Sequence, residues 1–105
     1  MSTPRAEILK NLLAQDPNNS FARYGLALEY ANAGLLAEAV AEYRRLMEAN
    51  PDYTAAYFHC GQALERMGNL EDARLTYQKG IEAATRTGDL HTRGEMQGAL
   101  DLLGS

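Results

Sequence analysis

The sequence repeats itself at a fixed interval, and this feature limits the possible folds more than any other. Identical residues recur at the same interval in five pairs, which are Pro17 and Pro51, Gly34 and Gly68, Leu36 and Leu70, Ala39 and Ala73, and Tyr43 and Tyr77. An interval of this size is typical of proteins that stack similar supersecondary units, because one unit cannot bury its apolar face alone. The chain is therefore expected to form a stack of similar units.

Within each unit, the apolar residues indicate two helices joined by a tight turn. The second helix of the first unit has apolar residues every three or four positions, which gives it one apolar face: Leu36, Ala39, Val40, Tyr43, Leu46 and Met47. Gly34 and Gly68 follow the first helices, where glycine adopts a positive φ at least cost. Asn18 and Asp52 follow the two prolines and are expected to cap the first helices.

The two ends of the chain look like incomplete units. Thr3 and Pro4 predict the start of an N-terminal helix over residues 4–15. Thr85 stands where a third boundary proline would fall, so the preceding helix is expected to continue until Gly88 and Asp89. The predicted fold is all-α, a right-handed α-solenoid of antiparallel helix pairs in one domain over residues 1–105. Its repeats are expected at 18–51 and 52–87, with a C-terminal capping helix at 89–103.

Residues 18–84 resemble the tetratricopeptide repeat (TPR) family, whose repeat has the same length as the interval seen here. The family's pattern of aromatic, leucine, small residue and tyrosine is carried in the second unit by Tyr57, Cys60, Gly61 and Leu64, followed by Ala73 and Tyr77. In the first unit the same places hold Arg23, Leu26, Ala27 and Tyr30, followed by Ala39, Tyr43 and Pro51. Arg23 departs from the pattern, because a large apolar residue is usual there. The resemblance implies protein–protein interaction through a concave groove lined by the first helix of each unit.

The first helix of the first unit carries a second apolar face that internal packing does not require, and the equivalent face of the second unit is partly polar. In the first unit this face contains Phe21, Tyr24, Leu28 and Ala31, and in the second it contains Ala55, Phe58, Gln62 and Glu65. The predicted partner-binding groove consists of Phe21, Tyr24, Leu28, Phe58, His59, Gln62, Arg66 and Arg93. One branch of the TPR family binds acidic C-terminal tails through lysine and asparagine. That mode is disfavoured here, because the matching positions are Tyr24, Leu28, Phe58 and Gln62.

Side chains that could support catalysis or metal binding are few and scattered. His59 and Cys60 are neighbours, so on a helix they point about 100° apart, and no further paired His or Cys motif supplies ligands. Cys60 falls on the packing face and is expected to be a buried structural thiol. His91 is expected to pack at a helix start, and Glu38 with Glu42 to form a solvated outer face. The sequence predicts a non-catalytic protein with no cofactor and no metal.

Charge and composition limit the class of partner. The net charge of −4 and the lack of a basic run argue against nucleic acid, because phosphate binding depends on clustered Lys and Arg. No apolar stretch is long enough to span or enter a membrane, and a single Cys predicts no internal disulfide. The sequence thus favours a soluble, cytoplasmic protein whose partner is another protein or a peptide.

Two alternatives to groove binding remain open at the level of sequence. The first is weak homo-oligomerisation, in which exposed leucines of the terminal helices contact another copy. The residues proposed for this contact are Leu9, Leu12, Leu13, Met96, Leu100 and Leu103. The second alternative is an enzymatic or metal-dependent activity, which has less support because no motif for it is present.

Overall fold

The structure is a computed structural model that describes residues 3–104, and these residues form six α-helices and no β-strand. The helices are α1 (Pro4–Gln15), α2 (Ser20–Asn32), α3 (Leu36–Ala49), α4 (Thr54–Arg66), α5 (Leu70–Thr87) and α6 (Leu90–Leu102). Each helix packs against the next one along the chain, so the predicted all-α solenoid is confirmed. The predicted domain limits include residues 1, 2 and 105, which lie outside the described residues.

Glycines in the left-handed conformation follow four of the helices within residues 3–104, and the one after α6 is Gly104, with a φ of 69°. Gly34 has a φ of 80° and Gly68 a φ of 79°, as the sequence predicts for the turn inside each unit. Gly88, with a φ of 76°, ends α5. Non-glycine residues pay a steric cost in this region of φ, so glycine lets the chain reverse at these points without strain.

The N-terminal caps agree with the sequence only in part. The Thr3 hydroxyl accepts a hydrogen bond from the backbone N–H of Ala6 at 3.0 Å, as expected. The predicted caps Asn18 and Asp52 are wrong. Each lies in a turn that precedes its helix, and this turn delays the helix start. Asn19 caps α2, whereas no side chain caps the first turn of α4.

An ion pair replaces an apolar contact between α2 and α3. Arg23 Nη1 donates to Glu42 Oε2 at 2.9 Å, and Arg45 Nη1 contacts Glu42 Oε1 at 2.5 Å. The prediction of a solvated Glu42 is wrong, because its side chain is only 9% exposed. Arg23 lies opposite, and a buried carboxylate is tolerated where cations and hydrogen bonds compensate it.

Small residues allow the helices of both units to approach closely. Ala39 and Ala73 are fully buried, as are the large side chains Tyr43 and Tyr77. A Cβ atom added at Gly61 would overlap the ring of Tyr77, so glycine is required for this approach of α4 to α5. A Cβ at Gly80 would likewise overlap Met96 and Tyr57.

Helix α6 packs with a register different from that of α4. The starts of α2 and α4 are separated by one repeat interval. Helix α6 begins at Leu90, which is more than one such interval after the start of α4, because α5 continues to Thr87. Met96 and Leu100 are therefore the buried residues of α6. The prediction that Leu9, Met96 and Leu100 are available to another copy is wrong, because all three are buried within the chain.

The six helices form two layers, and the stack curves toward one of them. Helix α4 contacts α2 on one side and α6 on the other. Within residues 3–104, however, α3 and α5 make no such contact with each other. Since α2, α4 and α6 are closer together than α3 and α5, the concave face is the one formed by α2, α4 and α6. No helix in this part of the chain is long and apolar enough to cross a membrane.

Candidate functional site

Two adjoining depressions occupy the concave face, one on each side of α4. The first, of about 540 Å³, is lined by Leu28, Ala31, Asn32, Tyr43, His59, Gln62, Ala63, Glu65 and Arg66. The second, of about 410 Å³, is lined by Phe58, Gln62, Glu65, Tyr77, Glu95, Gly98, Ala99 and Leu102. Gln62 and Glu65 line both depressions, so the two form one continuous surface across α4. We call the first the α2/α4 depression and the second the α4/α6 depression.

A cluster of aromatic rings supports the α2/α4 depression from beneath. The ring centroid of Tyr24 lies 5.3 Å from that of Tyr53 and 5.6 Å from that of His59. His59 is stacked with Tyr43 at 6.4 Å, and its ring meets Phe58 edge-on at 5.4 Å. Such tilted and edge-to-face contacts are favourable beyond the burial of apolar area. The cluster therefore fixes the side chains of α2, α3 and α4 relative to one another.

Burial affects the protonation of two aromatic side chains at the site, His59 and Tyr77. It lowers the pKa of His59 below its ordinary value, and the nearby Glu95 carboxylate opposes this shift. Burial also raises the pKa of Tyr77, and the hydrogen bond from its hydroxyl to Glu65 raises it further. At neutral pH, His59 is therefore neutral and Tyr77 is protonated, so Tyr77 donates to Glu65.

Charge is distributed unevenly between the two depressions. Arg66 lines the α2/α4 depression, where its Nη1 donates to the carbonyl oxygen of Ala31 at 3.2 Å, at the C-terminal end of α2. The α4/α6 depression contains the carboxylates of Glu65 and Glu95, and none of the described residues that line it is basic. This second depression is therefore acidic.

The structure brings together most of the predicted groove residues. Leu28, His59, Gln62 and Arg66 line the α2/α4 depression, and Phe58 and Gln62 line the α4/α6 depression. The other three predicted residues line neither. Tyr24 is half-buried in the aromatic cluster, Phe21 is 67% exposed, and Arg93 is exposed on α6.

Sequence reasoning missed the residues that α6 contributes. Glu95, Gly98 and Leu102 line the α4/α6 depression, together with Tyr77 of α5. With an unchanged repeat interval, Glu95 and Gly98 would take the positions in α6 that packing residues occupy in α4. The later start of α6 moves them onto the concave face instead. The signal for this shift was Gly88, which ends α5 later in its unit than α3 ends.

The candidate metal and nucleophile residues do not form a site. Cys60 is fully buried, as predicted, and burial raises the pKa of its thiol to about 11. His91 does not pack at the helix start as predicted, because its side chain is 86% exposed and lies 3.4 Å from Glu95. Within residues 3–104, no three His, Cys, Asp or Glu side chains are grouped so that they could hold a metal ion.

The convex face has a depression of comparable size between α3 and α5. Its volume is about 400 Å³, and its lining residues are Arg44, Met47, Glu48, Tyr57, Asp72, Leu75, Thr76 and Lys79. Two of these residues are basic and two are acidic, so its charge is balanced. It differs in this respect from the acidic α4/α6 depression.

The fold is that of a helical-repeat protein with a concave surface, and comparison with known proteins identifies the family. The family model of the tetratricopeptide repeat matches residues 30–92. A TPR repeat-containing protein of Pseudomonas aeruginosa is 32% identical over 90 residues, which cover 86% of this chain and 86% of that protein. The chain belongs to the tetratricopeptide repeat family. Its members are generally non-catalytic scaffolds of protein–protein interaction.

Solved structures are similar to the whole solenoid. The crystal structure of a tetratricopeptide repeat domain protein from Salinibacter ruber has a TM-score of 0.77 and 35% identity, and covers 82% of this chain and 96% of its own. The TPR2B domain of yeast Sti1, solved in complex with pHsp70, has a TM-score of 0.88. It is 14% identical and covers 94% of this chain and 79% of its own. At that identity the second likeness shows the fold alone.

Proposed function

We propose that the concave surface of α2, α4 and α6 binds a peptide segment or a helix of another protein, and that the chain is a non-catalytic scaffold. The observation that carries this proposal is the continuity of the two depressions across α4, where Gln62 and Glu65 border both. A continuous groove can accept a chain that crosses several helices, whereas two isolated pockets would each take a single small group.

The chemistry of the surface supports this proposal. Leu28 and Phe58 are half-buried, so their exposed parts offer apolar contact without a large change in conformation. Exposed polar residues, such as Gln62 and Arg66, surround them. Apolar anchors bordered by polar groups are the arrangement that gives most of the binding energy in interfaces. That yeast Sti1 was solved with a partner bound to its TPR2B domain is consistent with this use of the fold.

The predicted site residues divide into three roles under this proposal. Leu28, Phe58, His59, Gln62 and Arg66 contact the partner directly. Tyr24 holds His59 and Tyr53 in place and acts from beneath the surface. Phe21 and Arg93, which are exposed outside the depressions, contact only a partner that extends past them.

Filling the groove tests the proposal. Gln62 is exposed between the two depressions, so Gln62→Trp should obstruct both while leaving the core unchanged. Peptides are first selected on the wild-type chain from a random-sequence display library. We expect Gln62→Trp to weaken their binding by about tenfold or more in a calorimetric titration.

The matched control is Gln78→Trp, which makes the same substitution at an exposed position of α5 outside both depressions. It should bind the selected peptides as the wild type does. Equal losses in the two variants, or a loss in Gln78→Trp alone, would contradict binding in the concave groove.

Self-association through the terminal helices is the second candidate function. Three large apolar residues of α1 and α6 are well exposed: Ile8 at 60%, Leu90 at 70% and Leu102 at 90%. Exposed apolar side chains at the ends of a helical stack can contact another copy. Size-exclusion chromatography with light scattering tests this candidate. A mass that rises with concentration would support it, and a constant monomer mass would exclude it.

The limits of the units and the location of the protein are also proposals. We propose repeats at 18–51 and 52–87, an N-terminal helix at 4–15, and a capping helix at 89–103 that covers α5. We further propose a cytoplasmic location, for which the support is a single buried thiol and the absence of any disulfide within residues 3–104.

A further inference from the structure

We propose that the α4/α6 depression binds a Lys or Arg side chain of the partner, so that the groove selects a basic segment. This inference rests on the proposed function and specifies the chemistry of the ligand. The first observation is the charge of the lining, since Glu65 and Glu95 supply two carboxylates and no described lining residue is basic. An acidic partner would be repelled there, whereas a cation would be attracted.

The Glu65 carboxylate is held in position and retains an oxygen that can accept a hydrogen bond. The Tyr77 hydroxyl donates to Glu65 Oε2. No hydrogen bond from residues 3–104 reaches Glu65 Oε1, and the side chain is only half-buried. A carboxylate fixed by one donor loses less conformational entropy when it accepts a second, from the guanidinium or ammonium group of a partner.

Glu95 faces the same space from α6 and is available to a cation. Its side chain is 40% exposed, and its Oε1 lies 3.4 Å from Nε2 of His91. His91 is 86% exposed on the solvent side of this contact, so it competes only weakly with a ligand in the depression. Glu65 of α4 and Glu95 of α6 therefore both border the space that a basic group of the partner would occupy.

The walls of the depression fit the aliphatic part of a long basic side chain. Phe58 and Leu102 contribute apolar surface, and Leu102 is 90% exposed. At Gly98 an added Cβ atom would meet nothing within 4 Å, so the absence of a side chain there leaves open space beside the carboxylates. Lys and Arg bury their methylene groups against apolar surface while their charge reaches polar groups. The half-buried ring of Phe58 can also attract a cation.

The α2/α4 depression has a different preference. Arg66 and Glu65 both line it, so its charge is balanced, and Leu28 and Ala31 give its α2 side apolar surface. The partner segment is therefore expected to place an apolar side chain against α2 and a basic side chain against α6. The net charge of −4 also favours association of the protein with a basic segment.

The test replaces glutamate carboxylates by glutamine amides of the same size. Peptides from a random-sequence display library are selected on the wild-type chain, and the most enriched peptide is synthesised. We expect enriched peptides to contain Lys or Arg close to an apolar residue. We expect Glu65→Gln with Glu95→Gln to weaken binding of that peptide by about tenfold, since each neutralised contact removes a charge-assisted hydrogen bond. The amide oxygen that replaces the Glu65 carboxylate can still accept from Tyr77, so the fold should be retained.

The matched control removes two negative charges elsewhere. Glu38→Gln with Glu82→Gln makes the same change in net charge at exposed positions of α3 and α5 that line neither depression. This control should bind the peptide as the wild type does. Should Glu65→Gln impair folding, Glu95→Gln alone supplies the comparison, because Glu95 is exposed.

Three outcomes decide the matter. Loss of affinity in the groove variant alone, for a peptide that contains Lys or Arg, would support the inference. Peptides that bind in the groove but lack basic residues, or that bind both charge variants equally, would overturn the inference and leave the proposed function standing. If no peptide is enriched over bare resin, the proposed function fails and the inference fails with it.

Discussion

At the scale of single residues, the two units solve the same packing problem with different side chains. Tyr57 of α4 donates its hydroxyl to the carbonyl oxygen of Pro51 at 2.8 Å. One repeat earlier, Arg23 Nη2 donates to the carbonyl oxygen of Pro17 at 3.0 Å. The departure of Arg23 from the family pattern therefore retains the hydrogen bond at the unit boundary. It also adds the ion pair with Glu42.

The ion pair gives a prediction for stability. Arg23→Ala should lower the free energy of unfolding by about 1–3 kcal/mol, because the buried Glu42 carboxylate loses its better-buried cation and Pro17 loses its donor. Urea denaturation followed by circular dichroism measures the change. Arg45→Ala is the control: Arg45 is 63% exposed, so its removal should cost less than about 1 kcal/mol. Equal effects of the two substitutions would contradict the claim that Arg23 stabilises the Glu42 carboxylate more than Arg45 does.

The sequence could not reveal this pair in advance. Glu42 lies four residues after Glu38 on a helix, and such a spacing is typical of a solvated face. Its burial depends on which helix packs against it, and the Arg23 side chain reaches it from 19 residues earlier. Local patterns predict which residues are apolar, but they do not identify polar residues that pair across helices.

At the scale of helices, close approach depends on glycine at defined crossings. Gly61 allows the ring of Tyr77 to lie directly against α4, and Gly80 allows Met96 and Tyr57 to meet α5. The size pattern of Ala27 and Gly61 predicted a small residue at the first of these crossings. The packing of α6 on α5 was predicted, because α6 was expected to cap the stack. The position of Met96 at this crossing was not predicted, because the register of the repeat changes at Gly88.

The crossing at Gly61 gives a second prediction for stability. Gly61→Ala should destabilise the chain by about 1–3 kcal/mol, because its methyl group would overlap the Tyr77 ring, which is fully buried and cannot move aside easily. Thermal unfolding followed by circular dichroism measures this change. At Gly94 of α6 an added Cβ meets nothing within 4 Å, so Gly94→Ala should raise stability by up to about 1 kcal/mol through helix propensity. A destabilising Gly94→Ala or a neutral Gly61→Ala would contradict the packing described here.

At the scale of the whole molecule, the curvature of the helix stack brings residues of several helices together on one concave surface. The residues of both depressions come from α2, α3, α4, α5 and α6, so no single helix contains the site. The sequence predicted the contribution of α2 and α4 because the groove residues of each helix recur every three or four positions. It could not predict the contribution of α6, since Glu95, Gly98 and Leu102 form no apolar face and reach the groove only through the altered register.

Mapping a bound peptide onto the chain tests whether the concave groove is the binding surface. A selected peptide is titrated into the isotopically labelled protein, and the backbone amide shifts are followed by NMR. We expect the largest shifts at Leu28, Gln62 and Leu102, which border the depressions, and little change at Lys79 on the convex face. Shifts confined to the convex depression between α3 and α5, or to α1, would contradict the claim that this TPR protein binds its partner in the concave groove.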